Sequence, residues 1–259
     1  MRILLLALFF SLSVIRAAAQ VTTETVEYKQ GDVILQGYFS YDPGVKGPRP
    51  AVLVVHDWMG VSEYTRMRTE QLAALGYVAL AADIYGKGVR PRNVQEASAE
   101  AGKYYKDRQL FRARLRAGLD FLASRSQADP SRLAVMGYCF GGGGALELAR
   151  SGAPVKGVVS FHGSLNTPTP SDAMNIKGKV LVLHGADDPY VKPEDVKSFM
   201  DEMRAAGVDW QFVHYSGAVH AFTDRRAGND NSKGAAYNEA ADRRSWEAMK
   251  DFFVEIFSR

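Results

Sequence analysis

The sequence predicts a single α/β domain, with a doubly wound, mostly parallel sheet and helices on both faces. Two observations carry that prediction. Short, continuously apolar runs alternate along the chain with longer stretches of helical spacing. Strands that are apolar at every position are buried on both faces, as in a parallel sheet covered by helices. The composition agrees, because 259 residues that are 46% hydrophobic and 24% charged suit one large core. No repeat, low-complexity tract or linker divides the chain after its first twenty residues.

"TETVEYKQ" and "VILQGYFSYD" read as an antiparallel lead-in. "PAVLVVH" is a buried strand, followed by the helix "EYTRMRTEQLAALG", whose last residue is a stop glycine. "YVALAAD" is again a strand. The stretch 93–125 is polar with apolar residues at helical spacing, and "DPSRLAVMG" brings a turn and a further strand. "GGGGALELARSG" is a helix, "VKGVVSFHG" and "GKVLVLHG" are strands, and "KPEDVKSFMDEMRAAG" is a helix. "DWQFVHYSG" is a late strand, and residues 235–258 form a closing helix.

The first nineteen residues stand apart. Arg2 precedes the apolar run "ILLLALFFSLSVI", and "RAAAQ" offers Ala17-x-Ala19 as a cleavage site. A basic end, a short apolar core and small exit residues make a secretory signal peptide, residues 1–19. The run is shorter than the roughly 20 residues of a membrane span, so no stable span is expected after cleavage. The expected mature domain is residues 20–259, secreted or periplasmic. Arg2 and Arg16 lie in the leader, and without them 30 basic side chains face 29 acidic ones. That balance gives no electrostatic reason to expect nucleic acid as a partner. The single cysteine, Cys139, rules out an internal disulfide.

Cys139 lies in Gly137-Tyr138-Cys139-Phe140-Gly141, a G-x-C-x-G between a strand and a helix. A sharp turn there lifts a nucleophile into solvent, and the glycines admit the close backbone approaches it needs. The helix N-terminus supplies unpaired N–H groups, which stabilise a thiolate and an oxyanion. A lone cysteine is also commonly a buried apolar filler, and the glycine spacing also suits a dinucleotide-binding turn. No Gly-Lys pair is followed by Ser or Thr, which excludes a P-loop. A nucleophile needs an acid and a histidine downstream. "LVLHGADDPYV" ends a strand in Asp187 and Asp188, and "YSGAVHAF" puts His220 in the following loop. All three loops follow strands, the edge at which ligands bind in such sheets.

"GYCFGGG", "GADDPYV", "GAVHAF", "HDWMGV" and "AADIYG" together resemble the dienelactone hydrolase family of α/β-hydrolases, over residues 24–257. In that family's acid loop the aspartate lies three residues before the valine, which selects Asp188. The resemblance implies a cysteine-dependent hydrolase of small esters or lactones with a Cys139–His220–Asp188 triad and an acyl-thioester intermediate. The backbone N–H groups of Phe140 and Trp58 would form the oxyanion hole. It implies no metal or organic cofactor, and says nothing of oligomeric state. Asp57 stands where the best-known members have a thiol-activating glutamate. Tyr85 matches a family turn, and Trp58 and Phe222 stand beside the site as pocket walls or as core. Substrate-binding arginines are expected from Arg225 or Arg226 and from Arg90 or Arg92. Asp224 takes the position where the first arginine is expected and would repel an anionic substrate, which argues against dienelactone itself. A binding protein that lost catalysis and a redox thiol are the competing readings.

Overall fold

The computed structural model describes residues 20–258, so the expected leader, residues 1–19, lies outside the described residues. Among the described residues no helix is long and apolar enough to cross a membrane. The lead-in is a hairpin, β1 (Thr22–Gln30) and β2 (Val33–Tyr41), turned at Gly31, whose φ of 55° suits a residue without Cβ. There follow β3 (Arg49–Val55), α1 (Glu63–Ala74), β4 (Val78–Ala82), α2 (Val94–Lys106) and α3 (Arg108–Ala123). The second half contains β5 (Ala128–Tyr138), α4 (Phe140–Arg150), β6 (Gly157–Phe161), β7 (Lys179–Gly185), α5 (Pro193–Ala205), β8 (Trp210–Tyr215) and α6 (Glu239–Phe257).

The strands form one eight-stranded sheet in the order β1-β2-β4-β3-β5-β6-β7-β8. Every pairing from β4 through β8 is parallel, and β2 pairs with β4 antiparallel. Because side chains alternate across a strand, the run Val52–Val55 feeds two cores. Leu53 and Val55 pack with α3 and α4 on one face. Val52 and Val54 pack with α1 and α6 on the other. This is the α/β-hydrolase architecture expected from the sequence.

Three boundaries differ from the sequence reading. The stretch 93–125 is two helices, because Asp107 leaves helical geometry (φ −118°, ψ 86°) and its carboxylate caps α3 by accepting from the Leu110 amide at 2.9 Å. Residues 128–132, read as a turn, open β5. The closing helix starts at Glu239, capped by Asn238, since Ala235 is held in a parallel bridge with His220.

Candidate active site

Cys139 sits between the end of β5 and the first residue of α4, with φ 54° and ψ −115°. That positive-φ conformation is strained for a non-glycine residue, and its surroundings fix it. A Cβ at Gly137 would overlap the Gly141 carbonyl, and one at Gly141 would overlap the Val55 and His56 carbonyls. The Cys139 amide donates to the Phe161 carbonyl at 3.0 Å and to His162 Nδ1 at 3.2 Å. Only a neutral imidazole accepts in this way, and burial pushes the His162 pKa well below the usual range. Its Nε2 then donates to Thr223 Oγ1 at 2.7 Å, which is 2.7 Å from the Tyr64 hydroxyl. His162, read from the sequence only as the end of a strand, is thus the buried prop beneath the turn. The contact is a tertiary one and has no local signature.

His220 arrives on the loop after β8, which pairs with Gly234 and Ala236 through the backbone of His220 itself. Its Nδ1 donates to Asp188 Oδ2 at 2.8 Å. The other oxygen, Oδ1, accepts from the Tyr190 amide at 2.9 Å, so the carboxylate is held at both ends. Asp187 faces away and accepts from the Gly217 amide at 3.1 Å. Burial acts to depress the His220 pKa, but Cys139 and Asp188 outweigh it and hold the ring raised to about 10. The folded-state value thus lies above the ordinary value near 6.5. The stability that His220 contributes is complete below about pH 6.5 and is lost as the pH rises through about 10. Urea midpoints should therefore fall over that interval in the wild type and fall less in Cys139→Ala, which removes one cause of the raised value.

Cys139, His162 and His220 open onto a cavity of about 1070 Å³. Trp58 and Asp57 line it, as do Tyr64, Asp224 and Arg226 on the α1 side and Val94, Tyr105 and Arg108 on the α2–α3 side. The amides of Phe140 and Trp58 have no acceptor in the protein among the described residues. Phe140 opens a helix, where unpaired N–H groups are the rule. Asp57 does not stand free to take a thiol proton. Its Oδ1 accepts from the Met59 amide at 2.7 Å and its Oδ2 from Arg226 Nη2 at 3.0 Å, while burial pushes its carboxyl pKa up.

The remaining pocket expectations are corrected. Phe222 is fully buried against His162 and Tyr215, because Ala221 (φ 56°) turns the chain and swings the next side chain into the core. Tyr85 is also buried and acts through the backbone, donating to the Trp58 carbonyl at 3.0 Å while packing on Phe140. Arg225 lies over the Tyr237 ring, outside the cavity, and Arg226 enters in its place. Arg226 holds Asp224 at 2.7 Å, so the repulsion expected from Asp224 is offset by a cation in contact. Arg90 is spent on Asp83 and backbone carbonyls, and Arg92 on Glu96. Among the described residues no group of three or more His, Cys, Asp or Glu is arranged to hold a metal ion.

Comparison with known proteins agrees with this geometry. The model of the dienelactone hydrolase family matches residues 35–257. A candidate carboxymethylenebutenolidase of Methylorubrum extorquens is 30% identical, over 96% of this chain and 89% of its own. A dienelactone hydrolase-like promiscuous phosphotriesterase from metagenomic libraries is 42% identical and superposes with a TM-score of 0.86, over 91% of this chain and 98% of that one. A candidate dienelactone hydrolase of Klebsiella pneumoniae is 25% identical with a TM-score of 0.77, over 91% and 99% of the two chains. With the elbow, the acid loop and the histidine loop on one sheet edge, these matches establish that the chain belongs to the dienelactone hydrolase family and is a hydrolase of esters or lactones.

Proposed function

We propose that hydrolysis runs through a Cys139–His220–Asp188 triad and an acyl-thioester. The observation that carries this reading is the His220 imidazole, fixed on Asp188 by Nδ1 and raised in pKa by Cys139. Its Nδ1–H tautomer leaves Nε2 for the thiol. The Cys139 Sγ, having given its proton to Nε2, attacks the carbonyl carbon, and the carbonyl electrons move onto oxygen. The unpaired amides of Phe140 and Trp58 receive that oxyanion; such donors contribute about 10²–10³ each in rate. Collapse of the adduct breaks the C–O bond, and His220 Nε2–H protonates the departing alkoxide. Water then loses a proton to Nε2 and attacks the thioester, which releases the acid and restores the thiol. Asp188 stays ionised throughout and stabilises the imidazolium. Tyr85 supports the hole by tethering the Trp58 carbonyl.

The test is to mix the protein with a short-chain aryl ester, quench early and locate the acyl group by mass spectrometry. An adduct on Cys139 is expected; turnover with adducts only elsewhere would sink the reading.

The enzyme is further proposed to act outside the cytoplasm, on the strength of the basic, apolar and small-residue succession in residues 1–19. N-terminal sequencing of the protein recovered from an exporting host should begin at Gln20. A start at Met1 would count against export.

A further inference from the structure

Beside His162, whose pKa burial pushes well below the usual range, the cavity contains three groups able to carry positive charge, and two are already matched. His220 sits on Asp188, and Arg226 is shared between Asp57 and Asp224. The third, Arg108, has no carboxylate within ion-pair distance and no hydrogen bond to the protein among the described residues, and its buried Nε is without an acceptor. Glu147, the carboxylate that acts on Arg108, is engaged elsewhere, within a chain of ion pairs that runs away from it. Glu147 takes Arg112 at 2.9 Å and Arg150 at 3.1 Å, Asp172 takes Arg112 at 2.7 Å, and Glu202 takes Arg150 at 2.7 Å. Burial lowers the Arg108 pKa, with Glu147 and Tyr105 pulling against it and Arg150 and Arg112 adding to it. A half-buried guanidinium without a counter-charge is costly, and one that lines a cleft is a candidate ligand-binding group.

Its setting is also that of a receptor. The guanidinium lies 4.9 Å from the centroid of Tyr105, and the Tyr105 ring meets Phe140 edge-on at 5.5 Å. A continuous path therefore runs from the residue after the nucleophile to Arg108. Stacking holds the fork in one orientation and leaves its N–H groups for a planar acceptor. Ser164 and Asn166 also line the cavity, and Ser164 donates to Asn166 Oδ1 at 2.9 Å, which leaves the Asn166 amide nitrogen for other acceptors. The leaving group must lie toward His220, which protonates it. His220 stands with Asp188 and Tyr190 on the β7–β8 side. The acyl portion is therefore turned toward α2 and α3.

We propose that Arg108 determines specificity, seating a carboxylate at the far end of the acyl chain, so that monoesters of dicarboxylic acids are preferred over neutral esters. The proposal rests on reading this cavity as the hydrolytic site. It assigns the anion to the α2–α3 corner instead of the loop after the triad histidine, where Arg226 is already occupied.

Two measurements on wild type, Arg108→Gln and Arg108→Lys test it. The first is the ratio of kcat/KM for 4-nitrophenyl hemiglutarate to that for 4-nitrophenyl pentanoate. The second is calorimetric binding of glutarate against neutral glutaramide. In the wild type the ratio should exceed one and glutarate should bind more tightly than glutaramide. In Arg108→Gln both preferences should fall by at least about tenfold, as loss of a charge-assisted pair implies. The ratio should shift mainly through KM, and Arg108→Lys should recover part of it. Ester hydrolysis through Cys139 with a ratio and a glutarate affinity indifferent to Arg108 would overturn the proposal. Arg108-dependent glutarate binding without an acyl adduct on Cys139 would uphold it and overturn the triad instead.

Discussion

Cys139→Ala is expected to lower kcat/KM for a short-chain aryl ester by at least about 10⁴-fold, with the fold intact. The size of the loss follows from the arrangement of the site. His220 is held by one nitrogen on Asp188, and the Phe140 and Trp58 amides, the proposed oxyanion donors, have no acceptor among the described residues. Without Sγ none of these groups has an attacking atom to serve. What remains is the modest acceleration from binding and the oxyanion donors alone. The backbone loses nothing, because the turn is set by Gly137, Gly141 and the two acceptors of the Cys139 amide. Stopped-flow release of 4-nitrophenol measures the rate, and near-UV circular dichroism checks the fold. Retention of more than about a hundredth of the wild-type rate would remove Cys139 from the chemistry.

Gly137→Ala should be among the most damaging single methyl additions in the protein. The new Cβ would overlap the Gly141 carbonyl, with the Gly142 amide nitrogen only 2.9 Å away, so backbone must move where no side chain can yield. Gly137 is also paired on both sides, opposite Val55 of β3 and Ser160 of β6, which leaves the strand no freedom to shift sideways. Overpacking of this kind costs about 4 kcal/mol or more, a fall in Tm of about 8–16 °C for a domain of this size. Gly102 is the internal control. It lies inside α2, where an added Cβ would meet nothing within 4 Å, so Gly102→Ala should raise stability by about 0.5–1 kcal/mol. Differential scanning calorimetry on the two variants reads both signs. A Tm for Gly137→Ala within about 2 °C of wild type would refute the crowding account.

The parts of the site legible in the sequence are those carried by chain punctuation. Cys139, the Asp187–Asp188 pair and His220 each follow an apolar strand and sit in a short polar or glycine-rich loop, so order and position along the chain were enough to propose them, and the family resemblance selected Asp188 of the pair. The fold was legible for the same reason, since the parallel strands are apolar on both faces. What escaped depends on direction or on distant partners. Arg225 and Arg226 are adjacent and chemically alike, and only the turn at Asp224 sends one to Tyr237 and the other into the cavity. Phe222 looked like a wall because it lies two residues from His220; the positive φ of Ala221 makes it core. Tyr85 and His162 act on backbone atoms of Trp58 and Cys139, contacts no spacing rule encodes. Arg108 lies in the stretch 93–125, which the sequence reads only as polar with apolar residues at helical spacing. Its distinction is that it has no carboxylate partner among the described residues, which becomes visible only when Glu147 is seen engaged by Arg112 and Arg150.

The strand order also gives the site a history within each molecule. Cys139 belongs to the end of β5 in the interior of the sheet, whereas Asp188 and His220 follow β7 and β8, the last two strands on one margin. In chain order β1 to β6 and Cys139 all precede Asp188 and His220. A segment ending at β6 therefore lacks the His220 imidazole and the Asp188 carboxylate that holds it. If the proposed triad holds, reactivity requires the final margin of the sheet to be in place. On the proposed triad, a chain truncated after β6 would keep the thiol and lack both of its partners, so it should form no acyl adduct.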